Sequence, residues 1–388
     1  MKILHLCLGN YFADGHIYQE NLLTKYHKRL GHDVEVIAST LTIDEKGKVF
    51  RKVKQGVYLN EHSVLVKRLN FKFGILGKFL RIYKNLYKEI LKSNPDIIFI
   101  HNPQFWDVRA VIKYLKHHPN VRVYVDNHAD FYNSAKNWFS RNILHKIIWK
   151  KSVKRLQPYV RKFYATTPGT LKFLNEMYNV PVDNIELLPL GGDDDKILVD
   201  DETRRLIRTT VRKKYNILDK DFLIITGGKI DNMKAETILL MKAISKLKND
   251  HVRLLIFGSV SNSISEEFHK AARDKRIKYI GWINPDEIYK LIISANLAVF
   301  PGSQSVLWIH TVCLGIPAIF KYWEGMLPLD LGGNCLFLYN SSEDEIYELL
   351  KKILEHPKLY ERMKKVASEK GPKRFLYSQI AKRSIEEY

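Results

Sequence analysis

Short apolar segments alternate with helical patterns along the whole sequence, and this alternation restricts the possible folds more than any other feature. In the first half, the segments with strand character are Ile3–Leu8, Asp33–Ser39, Val64–Leu69, Asp96–Ile100, Arg122–Val125, Lys162–Thr166 and Ile185–Leu188. In the second half they are Phe222–Thr226, Arg253–Phe257, Ile277–Ile280, Leu297–Phe300, Ala318–Phe320 and Leu336–Tyr339. The alternation predicts an α/β fold in which crossover helices cover parallel sheets.

One run interrupts both patterns and divides the chain. Pro189–Asp195, PLGGDDD, has the composition of a hinge, and 388 residues suffice for two hydrophobic cores. We therefore predict two doubly wound, Rossmann-like domains, residues 1–190 and 191–378. The carboxyl ends of their strands should face a central cleft. The tail, residues 379–388, has a helical pattern, and we expect it to pack back toward the first domain.

The composition is that of a globular protein, with 45% hydrophobic and 27% charged residues. No apolar run approaches the roughly 20 residues of a membrane-spanning helix. Met1 leads directly into a strand, without the zones of a secretory signal. The three cysteines, Cys7, Cys313 and Cys335, are far apart in apolar surroundings, which indicates buried thiols. We expect a soluble, cytoplasmic protein.

The net positive charge is concentrated in the first half of the chain, because acidic residues are fewer there. Residues 1–190 hold 31 of the 63 basic residues but only 15 of the 42 acidic ones. Residues 75–92 fit a single amphipathic helix, apolar on one side and basic on the other, with Lys78, Arg81, Lys84 and Lys88 on the basic side. A second tract without acidic residues covers 131–175. The alternative interpretation is an ordinary core-packed helix with a solvated face.

A basic face of one sign predicts docking to an anionic partner. Near an anionic membrane leaflet each such side chain adds about 1 kcal/mol of attraction. We expect peripheral binding at the inner face of the cell membrane. Nucleic-acid binding is the less favoured alternative, because no nucleic-acid-binding motif accompanies the charge.

The stretch FLIITGGKIDNMKA, residues 222–235, combines a buried strand, a glycine pair and two lysines. We expect Gly227 and Gly228 to form a tight turn that brings backbone close to a ligand. Lys234 is expected in the first turn of the next helix, where a cation is unfavourable unless an anion binds there too. Lys229 adds a second cation. The pattern indicates a diphosphate site, although solvated lysines on an ordinary loop are an equal alternative.

Other polar residues follow predicted strands, where α/β proteins place their ligand contacts. His128 follows Arg122–Val125 and could carry a proton or bond a hydroxyl, or be only a loop residue. Ser303 or Ser305 would present free helix amides to a phosphate. Gly15 leaves room for a substrate near free amides, or is a simple turn glycine. For Trp282 and His310, core packing is the ordinary expectation.

Together these motifs resemble the GT-B glycosyltransferases, most nearly the retaining family 4, over nearly the whole chain. The motifs are a helix ending in LGHDVEVIAS, the histidine His128, the hinge LLPLGGDDD, GGKIDNMKA, YIGWINPDEI and ANLAVFPGSQS…LGIPAIF. The resemblance implies that the donor diphosphate contacts Gly228, Lys229, Lys234, Ser303 and Ser305. It implies a nucleoside contact for Trp282, Ile283 and His310. Asp14, Gly15 and His16 would line the acceptor side, and His128 would lie near the transferred sugar.

The sequence departs from the family in the last of these motifs. The family has two glutamates eight residues apart there; the first is absent, and His310 stands in place of the second. A histidine cannot accept two hydrogen bonds as a carboxylate does. Two alternatives to an active transferase follow: a non-catalytic partner of an active enzyme, or a sugar-nucleotide epimerase.

The function that the resemblance implies is transfer of a hexose from a nucleoside-diphosphate sugar to a saccharide acceptor, with retention. The basic first half favours a lipid-linked acceptor in cell-surface glycan assembly. No cofactor is expected beyond the donor. No aspartate cluster suggests a metal, so we expect a metal-independent reaction.

Overall fold

The computed structural model describes residues 1–43 and 50–386. It divides the chain into two compact units, Met1–Pro189 with Tyr377–Tyr388, and Leu190–Leu376. Each unit is built on a parallel sheet, so the predicted α/β fold class is confirmed. The divisions fall close to the predicted positions 190 and 378.

Before the hinge, the described residues of the first unit form ten strands, six α-helices and one π-helical segment. They are β1 (Lys2–Cys7), α1 (Gln19–Arg29), β2 (Asp33–Ser39), β3 (Leu41–Ile43), β4 (Phe50–Lys52), β5 (Gly56–Leu59), β6 (Leu65–Leu69), α2 (Gly74–Leu80), α3 (Leu86–Ser93), β7 (Ile97–His101), α4 (Val108–His117), β8 (Arg122–Asn127), a π-helical segment (Ser140–Trp149) that continues into α5 (Lys150–Leu156), β9 (Lys162–Ala165), α6 (Pro168–Tyr178) and β10 (Ile185–Leu187).

Eight of these strands form one sheet in the order β10-β9-β8-β7-β1-β2-β6-β5. Every neighbouring pair is parallel except β5 and β6. The strand order reverses between β1 and β7, which are neighbours in the sheet. In open α/β sheets the crevice outside the strand ends at such a reversal is where ligands bind. The loops that follow β1 and β7 therefore define the candidate site of this unit.

The second unit contains the remaining elements except the last helix. They are α7 (Asp194–Ile197), α8 (Asp201–Lys214), β11 (Phe222–Ile230), α9 (Glu236–Lys246), β12 (Val252–Val260), α10 (Ser265–Ala271), β13 (Ile277–Tyr279), α11 (Pro285–Ser294), β14 (Leu297–Phe300), α12 (Val306–Cys313), β15 (Ala318–Lys321), β16 (Cys335–Leu338), α13 (Glu343–Glu355) and α14 (Pro357–Lys370).

Its six parallel strands have the order β13-β12-β11-β14-β15-β16. The reversal lies between β11 and β14, which pair through Ile224 and Leu297. The loops that follow these two strands are residues 231–235 and 301–305. Both were selected from the sequence as ligand-binding segments, and the topology places them at one switch point.

The last helix, α15 (Tyr377–Arg383), belongs to the first unit. Its buried residues Tyr377, Ile380 and Ala381 join a cluster with Leu22 and Tyr26 of α1. Arg383 forms an ion pair with Glu186 of β10. The tail is thus an integral part of the first unit's core.

The predicted helix over residues 75–92 is wrong. The chain instead forms α2 and α3, separated by a turn in which Arg81 and Asn85 have φ angles of 56° and 60°. Gly77 packs so tightly against the carbonyl of Lys72 that a Cβ would not fit. Because α2 folds back on this carbonyl, the amphipathic pattern does not continue, and Ile75 is 89% exposed.

Candidate functional site

An open cavity of about 750 Å³ lies at the switch point of the first unit. Its lining comes from the loops after β1, β7 and β8, from α2 and from the π-helical segment; it includes Gly9, Lys78, Arg81, Gln104, His128 and Trp149. Of the described residues that line the cavity, none is acidic. The cavity is therefore suited to an anionic or neutral ligand and unsuited to a cation.

His128 lies in the wall of this cavity, with 27% of its side chain exposed. Its amide donates to Asn102 Oδ1 (2.9 Å), and its carbonyl accepts from Asn133 Nδ2 (2.7 Å). The Nε2 atom faces inward, 3.5 Å from Asp126 Oδ1. Burial disfavours the charged ring, but the carboxylates of Asp126 and Glu20 outweigh it and raise the pKa of His128.

Arg81 was predicted to lie on an outward basic face, but the structure places it elsewhere. Its guanidinium donates to the carbonyls of Gly9 and of Gln104 and lies 5.6 Å from the ring of Trp149. The left-handed turn at Arg81 directs the side chain into the cavity wall. Lys78 also lines the cavity, whereas Lys84 and Lys88 are exposed beside and on α3.

The predicted acceptor-side loop is largely occupied by contacts within the protein. Asp14 accepts from Arg68 (3.0 Å) and from the hydroxyl of Tyr58 (2.6 Å). The amide of Gly15 donates to Glu61 Oε1 (2.9 Å), so this amide is not free for a substrate. His16 stacks on Tyr18. Of the described residues that line the cavity, none belongs to this loop.

In the second unit, β11 continues through its two glycines to Ile230, so the predicted tight turn is wrong. Gly227 and Gly228 pair with Phe257 and Gly258 of β12. A Cβ on Gly227 would fall 2.5 Å from the carbonyl oxygen of Phe257. Gly228 has a φ of +111°, which side chains rarely adopt. The glycines therefore permit close strand approach, and the chain reverses only after Ile230.

The two lysines differ in their surroundings. Lys229 is mostly exposed and lies 3.4 Å from Asp231. Lys234 is half-buried in a short 3₁₀ turn before α9, and not in the first turn of the helix. Burial lowers the pKa of Lys234, with Asp231 opposing and Lys229 reinforcing this effect. Among the described residues, no carboxylate lies within salt-bridge distance of Lys234.

The loop after β14 packs directly on the segment that carries Lys234. The amide of Ser303 donates to the carbonyl of Met233 (3.2 Å). A Cβ on Gly228 would lie 3.3 Å from Lys234 Nζ, so this amine sits above the glycine of β11. The structure thus brings together Gly228, Lys234 and Ser303, three residues predicted to contact a diphosphate.

Ser305 is the N-cap residue of α12, yet its side chain does not cap the helix. In the described part of the chain, the buried oxygens Ser305 Oγ and Gln304 Oε1 have no hydrogen-bond partner. Buried polar atoms without partners are costly. The amide end of α12 is also electropositive because of the helix dipole. An anion at this end would accept hydrogen bonds from the Ser305 hydroxyl and from the first amides of α12, whereas Gln304 Oε1 is itself an acceptor and needs a donor.

The predicted nucleoside contacts lie in different environments. Trp282 is 38% exposed in the loop after β13, with half-buried Ile283 beside it. The preceding Gly281 accepts a hydrogen bond from the amide of Gly258 (2.7 Å), which ties this loop to β12. Trp282 is accessible to a planar ligand.

His310 is 1% exposed and lies in the core of the second unit. Its ring stacks on Tyr289 and its Nε2 lies 3.3 Å from the tyrosine hydroxyl. Burial lowers the pKa of His310 to about 4. This position corrects the predicted nucleoside contact and fits the core histidine that the sequence left as the alternative.

Sequence reasoning missed several residues of both regions. In the first unit, Gln104, His145 and Trp149 line the cavity. In the second, Lys321 ends β15 and pairs with Glu236 at the start of α9. A polar residue at the carboxyl end of a buried strand was the available signal for Lys321 and for Gln104 just after β7.

Comparison with known proteins gives two family-model matches that follow one another along the chain. Residues 21–196 match Glycosyltransferase Family 4, and residues 207–370 match Glycosyl transferases group 1. A curated relative, the mannosylfructose-phosphate synthase of Agrobacterium fabrum, is 20% identical over 263 residues, or 64% of this chain. The match spans 55% of that relative's length.

Solved structures resemble the chain over almost its full length. Sucrose-phosphate synthase from Thermosynechococcus elongatus has a TM-score of 0.69 at 15% identity, covering 98% of this chain and 96% of its own. Anabaena HepE in complex with UDP and glucose has a TM-score of 0.66 at 14% identity. The match covers 99% of this chain and 98% of HepE. At these identities the likeness establishes the fold. Among the described residues, no helix combines the length and apolar character that crossing a membrane requires.

Proposed function

The chain belongs to the GT-B glycosyltransferases of family 4, and on that premise we propose that it transfers a hexose from a nucleoside-diphosphate sugar to a lipid-linked saccharide. The observation that carries the proposal lies at the switch point of the second unit. There the amine of Lys234, which has no carboxylate partner among the described residues, lies near the uncapped end of α12, and the contact between Ser303 and Met233 holds the two segments together. Both groups favour an anion.

The donor half of the proposal follows from this arrangement. A diphosphate between Lys234 and the start of α12 would accept hydrogen bonds from the Lys234 amine, the Ser305 hydroxyl and the first amides of the helix, while the amide of Ser303 stays bonded to Met233. The same groups oppose the negative charge that develops on the leaving diphosphate as the glycosidic bond breaks. Lys229 is exposed and adds long-range attraction. HepE was solved with UDP and glucose, so UDP-glucose is the first donor to test.

The acceptor half rests on the cavity of the first unit. Its basic residues Lys78 and Arg81 lie beside exposed apolar side chains of α2, including Ile75 and Phe79. This pairing of cations with apolar surface suits an acceptor that has both an anionic group and a lipid chain. His128 is the proposed catalytic residue, placed in the cavity wall to bond the transferred sugar or the acceptor hydroxyl.

We also propose that this face docks on an anionic membrane leaflet. Exposed apolar residues continue beyond α2 to Trp138, Phe139 and Ile147. Lys78, Lys84 and Lys88 supply positive charge. Sedimentation with vesicles that contain anionic lipid tests this: replacement of the three lysines by Glu should abolish co-sedimentation, and unchanged sedimentation would refute the docking face.

Two rival functions remain distinguishable. The family's glutamate pair is absent, which favours a non-catalytic partner that binds nucleotide without turnover. An epimerase would convert the sugar nucleotide with no acceptor present. The deciding experiment incubates the protein with UDP-glucose, with and without a lipid-linked saccharide extract, and follows UDP release. Acceptor-dependent UDP release supports transfer; donor conversion without an acceptor supports the epimerase; donor binding without either supports the partner role.

A further inference from the structure

Three buried histidines form a continuous row behind His128. His5 of β1 lies between His27 of α1 and His101 of β7. His5 Nδ1 is 2.9 Å from His101 Nε2, and His5 Nε2 is 3.0 Å from His27 Nδ1. His101 Nδ1 is 2.6 Å from Asp126 Oδ2. All three histidines and Asp126 are fully buried.

This row is a hydrogen-bonded chain and not a metal site. Each ring nitrogen within it faces another nitrogen or an oxygen at hydrogen-bond distance, so the lone pairs do not converge on a common point. Among the described residues, no group of His, Cys, Asp or Glu is arranged to hold a metal ion. The question is where the protons of the chain lie.

The C-terminal segment fixes the proton at one end. His27 Nε2 lies 3.0 Å from the carbonyl oxygen of Ala381 and 3.0 Å from Ser384 Oγ. The Ser384 hydroxyl donates its own proton to that same carbonyl (2.8 Å). Both neighbours of Nε2 are therefore acceptors, and Nε2 must carry a proton.

The remaining protons follow in sequence, because a neutral imidazole has one N–H and one acceptor nitrogen. Burial keeps His27 neutral and lowers its pKa to about 3, so its Nδ1 accepts from His5 Nε2. Burial also keeps His5 neutral, with its pKa well below the usual value, so its Nδ1 accepts from His101 Nε2.

His101 thus already carries a proton on Nε2, while its Nδ1 makes a short contact with Asp126. That contact needs a proton as well. Asp126 Oδ1 accepts from the amide of Asn102 (3.1 Å), and the nearby His101 and His128 rings outweigh burial to hold its pKa below the usual range. The second proton therefore resides on His101.

We propose that His101 is a buried imidazolium, doubly protonated because the carbonyl of Ala381 orients His27 and His5, and that it neutralises Asp126 behind His128. His101, His5 and His27 are positioning residues in this scheme. The C-terminal helix α15 thereby influences the charge that His128 experiences, although Ala381 touches neither His128 nor the cavity.

Few other ionisable groups among the described residues surround His101 and Asp126. Glu20 of α1 interacts with His101, Asp126 and His128, and burial raises its pKa. The thiol of Cys7 on β1 is buried, and burial raises its pKa well above the usual value. The charge of Arg68 on β6 opposes this effect and lowers the pKa of Cys7. His32 packs edge-on against His27. In this scheme the positive charge of His101 offsets part of the effect of Asp126, which together with Glu20 raises the pKa of His128.

Interrupting the chain at His5 should remove one proton. In His5→Phe, the Nε2 proton of His101 has no acceptor, so His101 should keep only the Nδ1 proton that it shares with Asp126. The carboxylate is then uncompensated, and the pKa of His128 should rise by on the order of one pH unit. His5→Gln should behave like the wild type, because its amide can accept from His101 and donate to His27.

The test is two-bond ¹H–¹⁵N NMR of the full chain with ¹⁵N-labelled histidine near neutral pH. We expect both nitrogens of His101 to be protonated in the wild type and in His5→Gln, and one nitrogen in His5→Phe. His32→Ala is the matched control and should leave the His101 signals unchanged. A singly protonated His101 in the wild type overturns the proposal, and this reading holds even if His5→Phe does not fold. A doubly protonated His101 in a folded His5→Phe variant also overturns the proposal.

A second readout rests on the proposed function. In a transfer assay, His5→Phe should shift the pH midpoint assigned to His128 upward, whereas His5→Gln should not. The NMR result requires no activity. If the protein proves not to be a transferase, NMR still tests the protonation of His101. If His101 proves to be singly protonated, the transfer assay still tests the proposed function.

Discussion

Gly302 lies directly against Lys234: a Cβ on residue 302 would fall 2.8 Å from the Cα of the lysine. The loop after β14 and the segment after β11 are therefore in backbone contact at the switch point of the second sheet. The position of the amine above Gly228 depends on this contact.

Gly302→Ala should weaken donor binding by displacing the segment that carries Lys234. The new methyl group meets backbone and not a flexible side-chain end, so the segment must shift, at a cost of about 1–3 kcal/mol in unfolding free energy. UDP stabilisation of the protein against heat should fall by half or more. Gly56→Ala is the control, because a Cβ there meets nothing within 4 Å. Equal UDP stabilisation of wild type and Gly302→Ala would contradict this role.

Arg81→Ala should remove the positive charge from the cavity wall of the first unit. We expect affinity for an anionic acceptor analogue to fall about tenfold, as for loss of one charged hydrogen bond. The affinity for UDP should not change, because Arg81 is confined to the first unit. Arg81→Lys should rescue poorly, since a lysine cannot reproduce both carbonyl contacts together with the cation–π contact to Trp149. Equilibrium titration with a fluorescent phospholipid analogue measures this, with exposed Lys116→Ala as control.

Acid should destabilise both units through buried neutral histidines. Burial lowers the pKa of His27 to about 3 and the pKa of His145 and His310 to about 4. Their folded-state pKa values lie below the unfolded value of about 6.5, so the unfolded chain takes up protons first as the pH falls. Their stabilising contribution is complete above about pH 6.5 and decreases toward pH 4, by up to about 1.4 kcal/mol per histidine per pH unit.

Urea unfolding at several pH values measures this effect. His310→Gln should flatten the pH dependence of the second unit's transition, whereas exposed His117→Gln should leave it unchanged. His128 contributes with the opposite sign, because its folded pKa is raised. Its contribution is complete below about pH 6.5 and disappears as the pH rises through the folded value. Stability that does not decrease between about pH 6.5 and about pH 4 would contradict the assignment of neutral buried histidines.

The sheets were predictable because parallel strands buried on both faces leave continuous apolar runs. Asp33–Ser39 and Leu297–Phe300 were predicted with the bounds that the structure has. The edge strand β5 was missed because its apolar run, residues 57–59, is short, and three of the four residues of the strand are exposed. The antiparallel strands β3 and β4 lie on either side of residues 44–49, which are outside the described part of the chain, and neither strand gave an apolar run long enough to predict.

The errors arose where tertiary contact determines the backbone. The pattern over residues 75–92 continues through a turn because periodicity does not register the contact between Gly77 and Lys72. The glycines of β11 were assigned to a turn because their close approach to β12 depends on a strand paired from another part of the chain. The row of His5, His27 and His101 was invisible for the same reason, since these residues are far apart in sequence.

Lys234 is the proposed anchor of the donor diphosphate, and calorimetric titration of UDP tests this role directly. Lys234→Ala should raise the dissociation constant about 10- to 100-fold, corresponding to about 1.5–3 kcal/mol for a charged hydrogen bond. Lys242→Ala, which removes a half-buried lysine of α9 paired with Glu267, should leave the constant unchanged. The same dissociation constant in Lys234→Ala and in the wild type would contradict the account.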